Sequence, residues 1–412
     1  MTGDPVASGP VAGDLTSPDL TPTAAAGVRL AARTRAIAPF RVMEVLDRAW
    51  ELERQGRSVI RLCVGEPDHG TPAPVVAAAT RATGSGEVHY APSLGIPQLR
   101  EAIAAAYLDR FGITVPARRV VVTTGASGAL LLALAAVVDP GDELLLADPG
   151  YPCNRHFLRV FEGRTRAVPV DASTRYQLTA DLVSSSWTAA TRGLVLATPS
   201  NPTGTRVAPD ELGRILAVTR DRGGLALVDE IYGELVYDSP PATALAHGDD
   251  MVVLNSFSKT FGMTGWRLGW MICPDGMLDA VERLAQNLFI AAPTPAQWGA
   301  LACFTDEVWA EVEARRDEFR RRRDVLVDGL RSLGFGVPVV PDGAFYVYAD
   351  CTAFSSDSEA FARRLLDATG VAVTPGNDFG AHRAAEHVRF SVTRPVDQIV
   401  EALDRLARFV RS

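Results

Sequence analysis

No run of this sequence approaches the eighteen or so continuous apolar residues that a membrane-crossing helix needs. Cysteine is scarce: Cys63, Cys153, Cys273, Cys303 and Cys351 are five in all, odd in number and far apart. None forms a Cys-x-x-Cys pair, which argues against a disulfide framework and against a zinc site. The six histidines show no ligand spacing, so no metal is expected. Basic residues number 41 against 49 acidic, a formal charge of −8, and no basic stripe of the kind that binds nucleic acid is present. Residues 1 to about 27 are rich in Pro, Ala, Gly, Thr and Asp and lack a charged segment followed by an apolar one. They do not read as a secretory signal. They read as a disordered tail, or as an arm that orders against a second subunit. Reducing cytoplasm is the expected compartment.

What is present suffices for a large core. The chain has 412 residues, 47% of them apolar, a length comfortable for two domains. From residue 119 a pattern repeats: a short β-branched run, a turn, then a helical stretch. The runs are R-V-V-V-T (119–123), E-L-L-L-A (143–147), G-L-V-L-A-T (193–198), L-A-L-V-D (225–229), V-V-L-N-S (252–256) and R-L-G-W-M-I (267–272). Helices are expected at Ala126 to Val138 and Pro209 to Arg222. Nearly continuous apolar strands spaced by helices predict an α/β architecture with a mostly parallel sheet covered on both faces.

Such sheets bind ligands at the carboxyl ends of their strands. Polar residues fall there: Gly125-Ala126-Ser127 after the first run, Asn201 after the third, Asp229 ending the fourth, and Ser256 to Lys259 after the fifth. The Gly-rich turn opening a helix is suited to a phosphate, because free N–H groups and the positive helix end face it. It is neither a P-loop nor a G-x-G-x-x-G turn, and a plain strand-to-helix turn is the competing reading. Asp229 closes an apolar strand, where a carboxylate calls for a cationic partner; a helix N-cap is the alternative. Tyr232, three residues on, can reach the same pocket. Lys259, in S-F-S-K, sits where a confined amine loses its proton and attacks a carbonyl; the alternative is a solvated turn lysine. A phosphate cradle, a carboxylate for a ring nitrogen, a phenol, an amide and a Schiff-base lysine are together what pyridoxal phosphate needs.

At this point the sequence resembles the class I/II aminotransferases of fold type I, over nearly everything after about residue 35. The motifs that carry the resemblance are H-Y-A-P-S-L-G-I-P-Q-L-R-E-A-I, A-T-P-S-N-P-T-G-T, V-D-E-I-Y, S-F-S-K-T-F-G-M-T-G-W-R-L-G and P-D-G-A-F-Y-V-Y, in matching order and spacing. It implies a large domain with a mostly parallel seven-stranded sheet, at about 67–298, beside a smaller α+β domain made of 39–66 and 299–412, after a tail at 1–38.

It also implies roles. Lys259 carries the cofactor as a Schiff base and Asp229 pairs the pyridine nitrogen. Asn201 and Tyr232 bond the phenolic oxygen, Tyr151 stacks on the ring, and Asn154 supports Asp229. Gly125, Ala126, Ser127, Ser256, Ser258 and Arg267 hold the phosphate. Tyr90 reaches the phosphate of the neighbouring subunit, making a homodimer with shared sites. Arg389 clamps the substrate carboxylate, with Gly65 and Asn201 beside it.

The implied reaction is transamination between an L-amino acid and a 2-oxo acid by a ping-pong route, with Lys259 as proton carrier. A β-lyase, cyclase or oxidase on the same fold is the rival. A cofactor-sensing DNA-binding regulator is disfavoured, because the residues before the match are few and carry no basic helix–turn–helix pattern. Some members place a lysine for a distal carboxylate where Ser127 stands here, which tilts the expectation toward a neutral or apolar substrate. Arg29, Arg33 and Arg35 can still supply a cation. Phe40 and Trp298 are expected either as an apolar wall or as simple core.

Overall fold

The structure is a computed structural model that describes residues 28–86 and 88–411. Most of the expected tail lies outside the described residues. The segment ending at Pro39 is a unit of its own, and its short turn Ala32–Ala36 buries no residue. The second unit runs from Phe40.

The strands, in chain order, are β1 (Ile60–Arg61), β2 (Val120–Thr123), β3 (Glu143–Asp148), β4 (Arg164–Pro169), β5 (Thr191–Ala197), β6 (Leu225–Asp229), β7 (Val252–Ser256), β8 (Gly269–Ile272), β9 (Tyr346–Asp350), β10 (Val371–Ala372), β11 (Thr374–Pro375) and β12 (His387–Ser391). Strands β2 to β8 form a seven-stranded sheet in the order β2-β8-β7-β6-β5-β3-β4. Alternate residues leave a strand on opposite faces. Val120, Val122, Leu194 and Val228 therefore join one core, while Val121, Val195, Leu227 and Val252 join another. Both faces are buried, which is why these strands are apolar throughout rather than alternating. The helices fall within a residue of expectation at Gly125–Val137 and Pro209–Asp221.

Two features of the sheet go beyond the sequence reading. Strand β4, at the edge of the sheet, has the sequence R-T-R-A-V-P and buries only Val168 and, in part, Thr165. Charge on an edge strand discourages pairing with other chains, and it hides the strand from an apolar-run criterion. Strand β8 runs antiparallel to both of its neighbours, β2 and β7, with Gly269 opposite Thr123 and Ser256. Its start, not its end, thus lies at the rim formed by the carboxyl ends of β2, β3, β5, β6 and β7. That reversal brings Arg267 to the site.

A third core gathers Ile60 and Leu62 with Phe319, Leu326, Phe390 and Leu406 from the far end of the chain. It is built on the three-stranded sheet β11-β12-β9, the pair β1-β10 and the helices Asp306–Ser332, Ser358–Thr369 and Val396–Arg411. Among the described residues, no helix is long and apolar enough to cross a membrane.

Candidate active site

The rim of the seven-stranded sheet gathers the polar residues named above. At β2, Gly125 opens its helix with φ +74°, a left-handed conformation that glycine adopts freely. Arg267 stands over it: a Cβ on Gly125 would lie 2.6 Å from a guanidinium nitrogen. Arg267 also donates to the Thr264 carbonyl at 2.8 Å. At the end of β7, the hydroxyls of Ser256 and Ser258 lie 2.9 Å apart, and Ser256 Oγ accepts from the Ser258 N–H at 3.1 Å. Helix-start N–H groups, two hydroxyls and an arginine form a concave donor set suited to a phosphate. Ala126 and Ser127 are half-buried on the same first turn.

Lys259 follows in a single helical turn, Phe257–Thr260. Its Nζ donates to the Gly65 carbonyl at 2.7 Å. Burial pulls the amine down from 10.5 to about 8; Arg267 and Arg389 push the same way, and Glu66 and Asp229 oppose them. Asp229 ends β6, its carboxyl pushed up to about 6 by burial and held back by the Ile231 N–H and by Lys259. Its Oδ1 accepts from Ile231 N–H at 3.0 Å. The cap-like bond weighed from sequence therefore exists, but it closes a turn at the strand end and begins no helix. A carboxyl and an amine, both desolvated and both shifted toward neutrality, face one pocket, an arrangement typical of reacting groups.

Tyr232 is buried and its hydroxyl meets that of Tyr346 at 2.8 Å. Asn201 is buried, and its Oδ1 accepts from Arg389 at 2.8 Å. A guanidinium only donates, so this bond turns the amide nitrogen of Asn201 the other way. Tyr151 follows β3 and meets Phe40 edge-to-face at 6.3 Å. Burial, then the neighbouring Cys153, raises its phenol well above the usual range. Asn154 is buried one turn along the helix Pro152–Val160.

Arg389 lies in β12, 2% exposed. It donates to the Cys63 carbonyl at 2.5 Å and to Thr374 Oγ1 at 3.2 Å, and its plane lies 4.5 Å from the Tyr346 ring and 4.9 Å from the Phe379 ring. Its Nε is buried without a partner. A buried donor left open is costly unless a ligand completes it. Gly65 closes the space: a Cβ there would stand 2.1 Å from Tyr346 Oη. Beside Gly65, a cavity of about 510 Å³ is lined by Glu66, His69, Thr71, Thr264 and Trp266 among others.

Most of the expected residues converge. Tyr90 does not join them within one chain: it is 85% exposed. Trp298 lines a separate groove of about 670 Å³ with Ala78, Ala82 and Leu301, none of which is an expected site residue. Arg29, Arg33 and Arg35 are exposed in the first unit. Phe40 meets Tyr151 and also packs, half-buried, against the core of Val42, Leu46 and Leu52. The sequence reading missed Tyr346, Phe379, Thr374 and Glu66. Tyr346 sat inside the quoted motif P-D-G-A-F-Y-V-Y, and Thr374 is found only through the register that sets it opposite Arg389. One further signal was available: Lys259 is the only lysine among the 412 residues.

Comparison with known proteins agrees with this geometry. Residues 57–406 match the family described as aminotransferase class I and II. The chain is 43% identical over 379 residues to the valine–pyruvate aminotransferase of Mycobacterium tuberculosis strain H37Rv, across 91% of this chain and 97% of that one. It is 36% identical over 386 residues to the aspartate/prephenate aminotransferase of Thermus thermophilus, across 92% and 98% of the two chains. A crystal structure of an aminotransferase from Mycobacterium tuberculosis shares the fold with a TM-score of 0.90 at 42% identity, covering 93% of this chain and 99% of that one. A structure of the Thermus thermophilus aspartate aminotransferase with maleate gives 0.88 at 34%, covering 92% and 99%. With its site geometry, motif order and whole-length likeness in accord, the chain belongs to the class I and II aminotransferases.

Proposed function

We propose that this aminotransferase uses pyridoxal 5′-phosphate, works as a cytoplasmic homodimer with shared sites, and moves the amino group of a neutral aliphatic L-amino acid to a small 2-oxo acid such as pyruvate by a ping-pong route. The observation that carries the reading is the meeting of Lys259, Asp229 and the Gly125–Arg267 rim, delivered by separate strands to one pocket with Arg389 beside it. The donor set fits a phosphate, the Asp229 carboxyl fits a ring nitrogen, and the open Arg389 Nε fits a carboxylate. All five cysteines are free, which suits a reducing compartment. The core that joins Ile60 and Leu62 to the C-terminal residues, with Tyr232 and Leu235 reaching into it, supports a division into 39–66 with 299–412 and 67–298.

Gly125, Ala126, Ser127, Ser256, Ser258 and Arg267 would hold the phosphate, with Tyr90 of a second copy completing it. Asp229, backed by Asn154, would keep the ring nitrogen protonated. Asn201, through its amide nitrogen, and Tyr232 would bond the phenolic oxygen, and Tyr151 would cover one ring face. When bound, the cofactor supplies a carbonyl that takes up the amino group and a conjugated ring that accommodates the electrons left on Cα. Arg389 binds the substrate carboxylate in a pocket from which the rings of Tyr346 and Phe379 exclude water. Burial holds the Lys259 amine near 8, so part of it would be neutral at neutral pH and could take a proton from the substrate Cα and deliver one to the cofactor carbon that had carried the aldehyde oxygen, across the shared nitrogen.

The neutral substrate rests on Ser127 where a lysine would serve a distal carboxylate, on the apolar contact of Phe40 with Tyr151, and on the relative named for valine and pyruvate. Turnover of a panel of L-amino acids against pyruvate and 2-oxoglutarate tests it. Valine and its neighbours with pyruvate should lead in kcat/KM. A lead for aspartate or glutamate overturns the substrate class, and ammonia release without a new amino acid overturns transfer.

A further inference from the structure

Between β11 and β12, the chain makes an excursion through Gly376–Asp378 and Ala384–Glu386 before it returns with Arg389 opposite Thr374. This loop does not stand on its own sheet. It is gripped by the end of β3, in the large sheet. The Asp148 carboxylate, 7% exposed, accepts from the Ala381 N–H at 3.1 Å with each oxygen and from the His382 N–H at 3.2 Å. Gly380 leaves room for it: a Cβ there would stand 1.7 Å from Asp148 Oδ1. Three further bonds close the grip. Gly150 N–H donates to the Phe379 carbonyl at 2.8 Å, Arg155 donates to the Asp378 carbonyl at 2.8 Å, and Asp378 Oδ1 accepts from Arg41 N–H at 3.0 Å. Phe379, inside the gripped segment, lies against the Arg389 guanidinium.

We propose that Asp148 is a positioning residue for substrate carboxylate recognition: its buried carboxylate latches the loop so that Phe379 and β12 hold Arg389 in register with the pocket. Tyr151 lies three residues after Asp148 on the same strand end, so one carboxylate ties the arginine to the ring-facing tyrosine. A carboxylate bonded to backbone N–H groups is a strong, directional anchor. Its burial leaves it little access to water. The inference rests on the reading of Arg389 as the carboxylate clamp.

The test uses holoenzymes of wild type, Asp148→Asn, Asp148→Ala, Gly380→Ala and Arg389→Lys. Each is mixed with the best amino acid of the panel and with the amine that lacks its carboxylate, L-valine and isobutylamine being the expected pair. Single-turnover half-reactions give the apparent Kd for each compound. Asp148→Ala and Gly380→Ala should weaken the amino acid by ~10-fold or more, the scale of a lost charge-assisted bond, while leaving the amine within ~2-fold. Asp148→Asn, which keeps one acceptor oxygen, should fall between. Thermal midpoint and cofactor retention are read alongside, because a merely structural role would move those and weaken both compounds alike. Equal weakening of both compounds, or no change for either, overturns the latch. Loss of discrimination in Arg389→Lys with none in the Asp148 variants also overturns the latch but leaves the clamp standing. Unchanged discrimination in Arg389→Lys overturns the clamp itself.

Discussion

Gly65 and Tyr346 are in such close contact that a single methyl on Gly65 would stand 2.1 Å from the tyrosine hydroxyl. The same glycine offers its carbonyl to Lys259, and the same tyrosine bonds Tyr232 and lies under Arg389. Gly65→Ala must therefore displace either the loop or the ring. Overpacking of this kind costs roughly 1–3 kcal/mol. The cost should appear as a KM raised by roughly 5- to 100-fold, since Arg389 and Lys259 both lose their supports. Tyr346→Phe in the same chain removes the clashing oxygen, so the double variant should recover part of the loss. Strict additivity of the two substitutions in a double-mutant cycle would refute the contact's role.

Lys259→Ala should abolish turnover while cofactor still binds noncovalently. Because Lys259 is the chain's only lysine, borohydride reduction of the holoenzyme should mark one internal peptide and no other. The amine near 8 sets the pH course of covalent capture. The neutral amine is the nucleophile, so the rate at which apoenzyme captures pyridoxal phosphate should rise with pH through about 8 and level off above it. A rate still climbing near 10, where an exposed lysine titrates, would contradict the burial of this amine.

Asp229 has the opposite sign. Its carboxyl in the cofactor-free site titrates near 6, and the ring nitrogen needs the carboxylate form. Above that pH the carboxylate is ready; below it a proton must first be displaced. Cofactor affinity should thus be full above about 6 and fall as pH drops through that value, by at most ~10-fold per unit from this group. Pyridoxamine phosphate is the suitable probe, because it cannot bond covalently to Lys259. Its phosphate titrates in the same range, so the readout is the difference in slope between wild type and Asp229→Asn. Identical slopes would dismiss the assignment. The same variant should slow the half-reaction by ~10²-fold, the scale of one preorganised electrostatic group.

The parts of this site legible in the sequence share one property: they sit at the ends of buried strands. Asp229, Asn201, Ser256 and Lys259 follow apolar runs, and a polar residue there has few structural reasons to exist. Arg267 was legible only through its motif, because it precedes its strand, and strand direction is set by pairing, which a local pattern does not encode. Strand β4 escaped because the sheet edge tolerates Arg164 and Arg166, so the apolar signal that marks central strands is absent. Phe379, Thr374 and Asp148 were invisible for another reason. Thr374 and Phe379 matter through strand register and loop packing against Arg389, and Asp148 through a bond from the Ala381 N–H of a segment more than two hundred residues away. Trp298 shows the converse: this large aromatic packs against the core and lines a groove with Ala78, Ala82 and Leu301.

Tyr90 remains apart from the pocket of its own chain, 85% exposed, in a loop tied down by the bond from Thr294 Oγ1 to the His89 carbonyl at 2.8 Å. Val76 and Val88, near Tyr90 in the sequence, are exposed apolar side chains too, as are Leu288 and Ile290 further along the chain. A phenol with no burial at home is explained if a second copy receives it, and a phosphate oxygen is the acceptor the proposed cofactor offers. Tyr90→Phe should then weaken cofactor retention by roughly 1.5–3 kcal/mol, the range for hydrogen bonds to charged groups. The dimer should persist, because one hydroxyl is a small part of an obligate interface. Inactive Lys259→Ala chains mixed with chains inactivated by a disruptive substitution at Tyr90 would form heterodimers in which one site carries neither lesion. Each heterodimer should recover about one site's activity. A fully active monomer by light scattering, or mixed chains that stay inactive after subunit exchange is verified, would show that the sites are not shared.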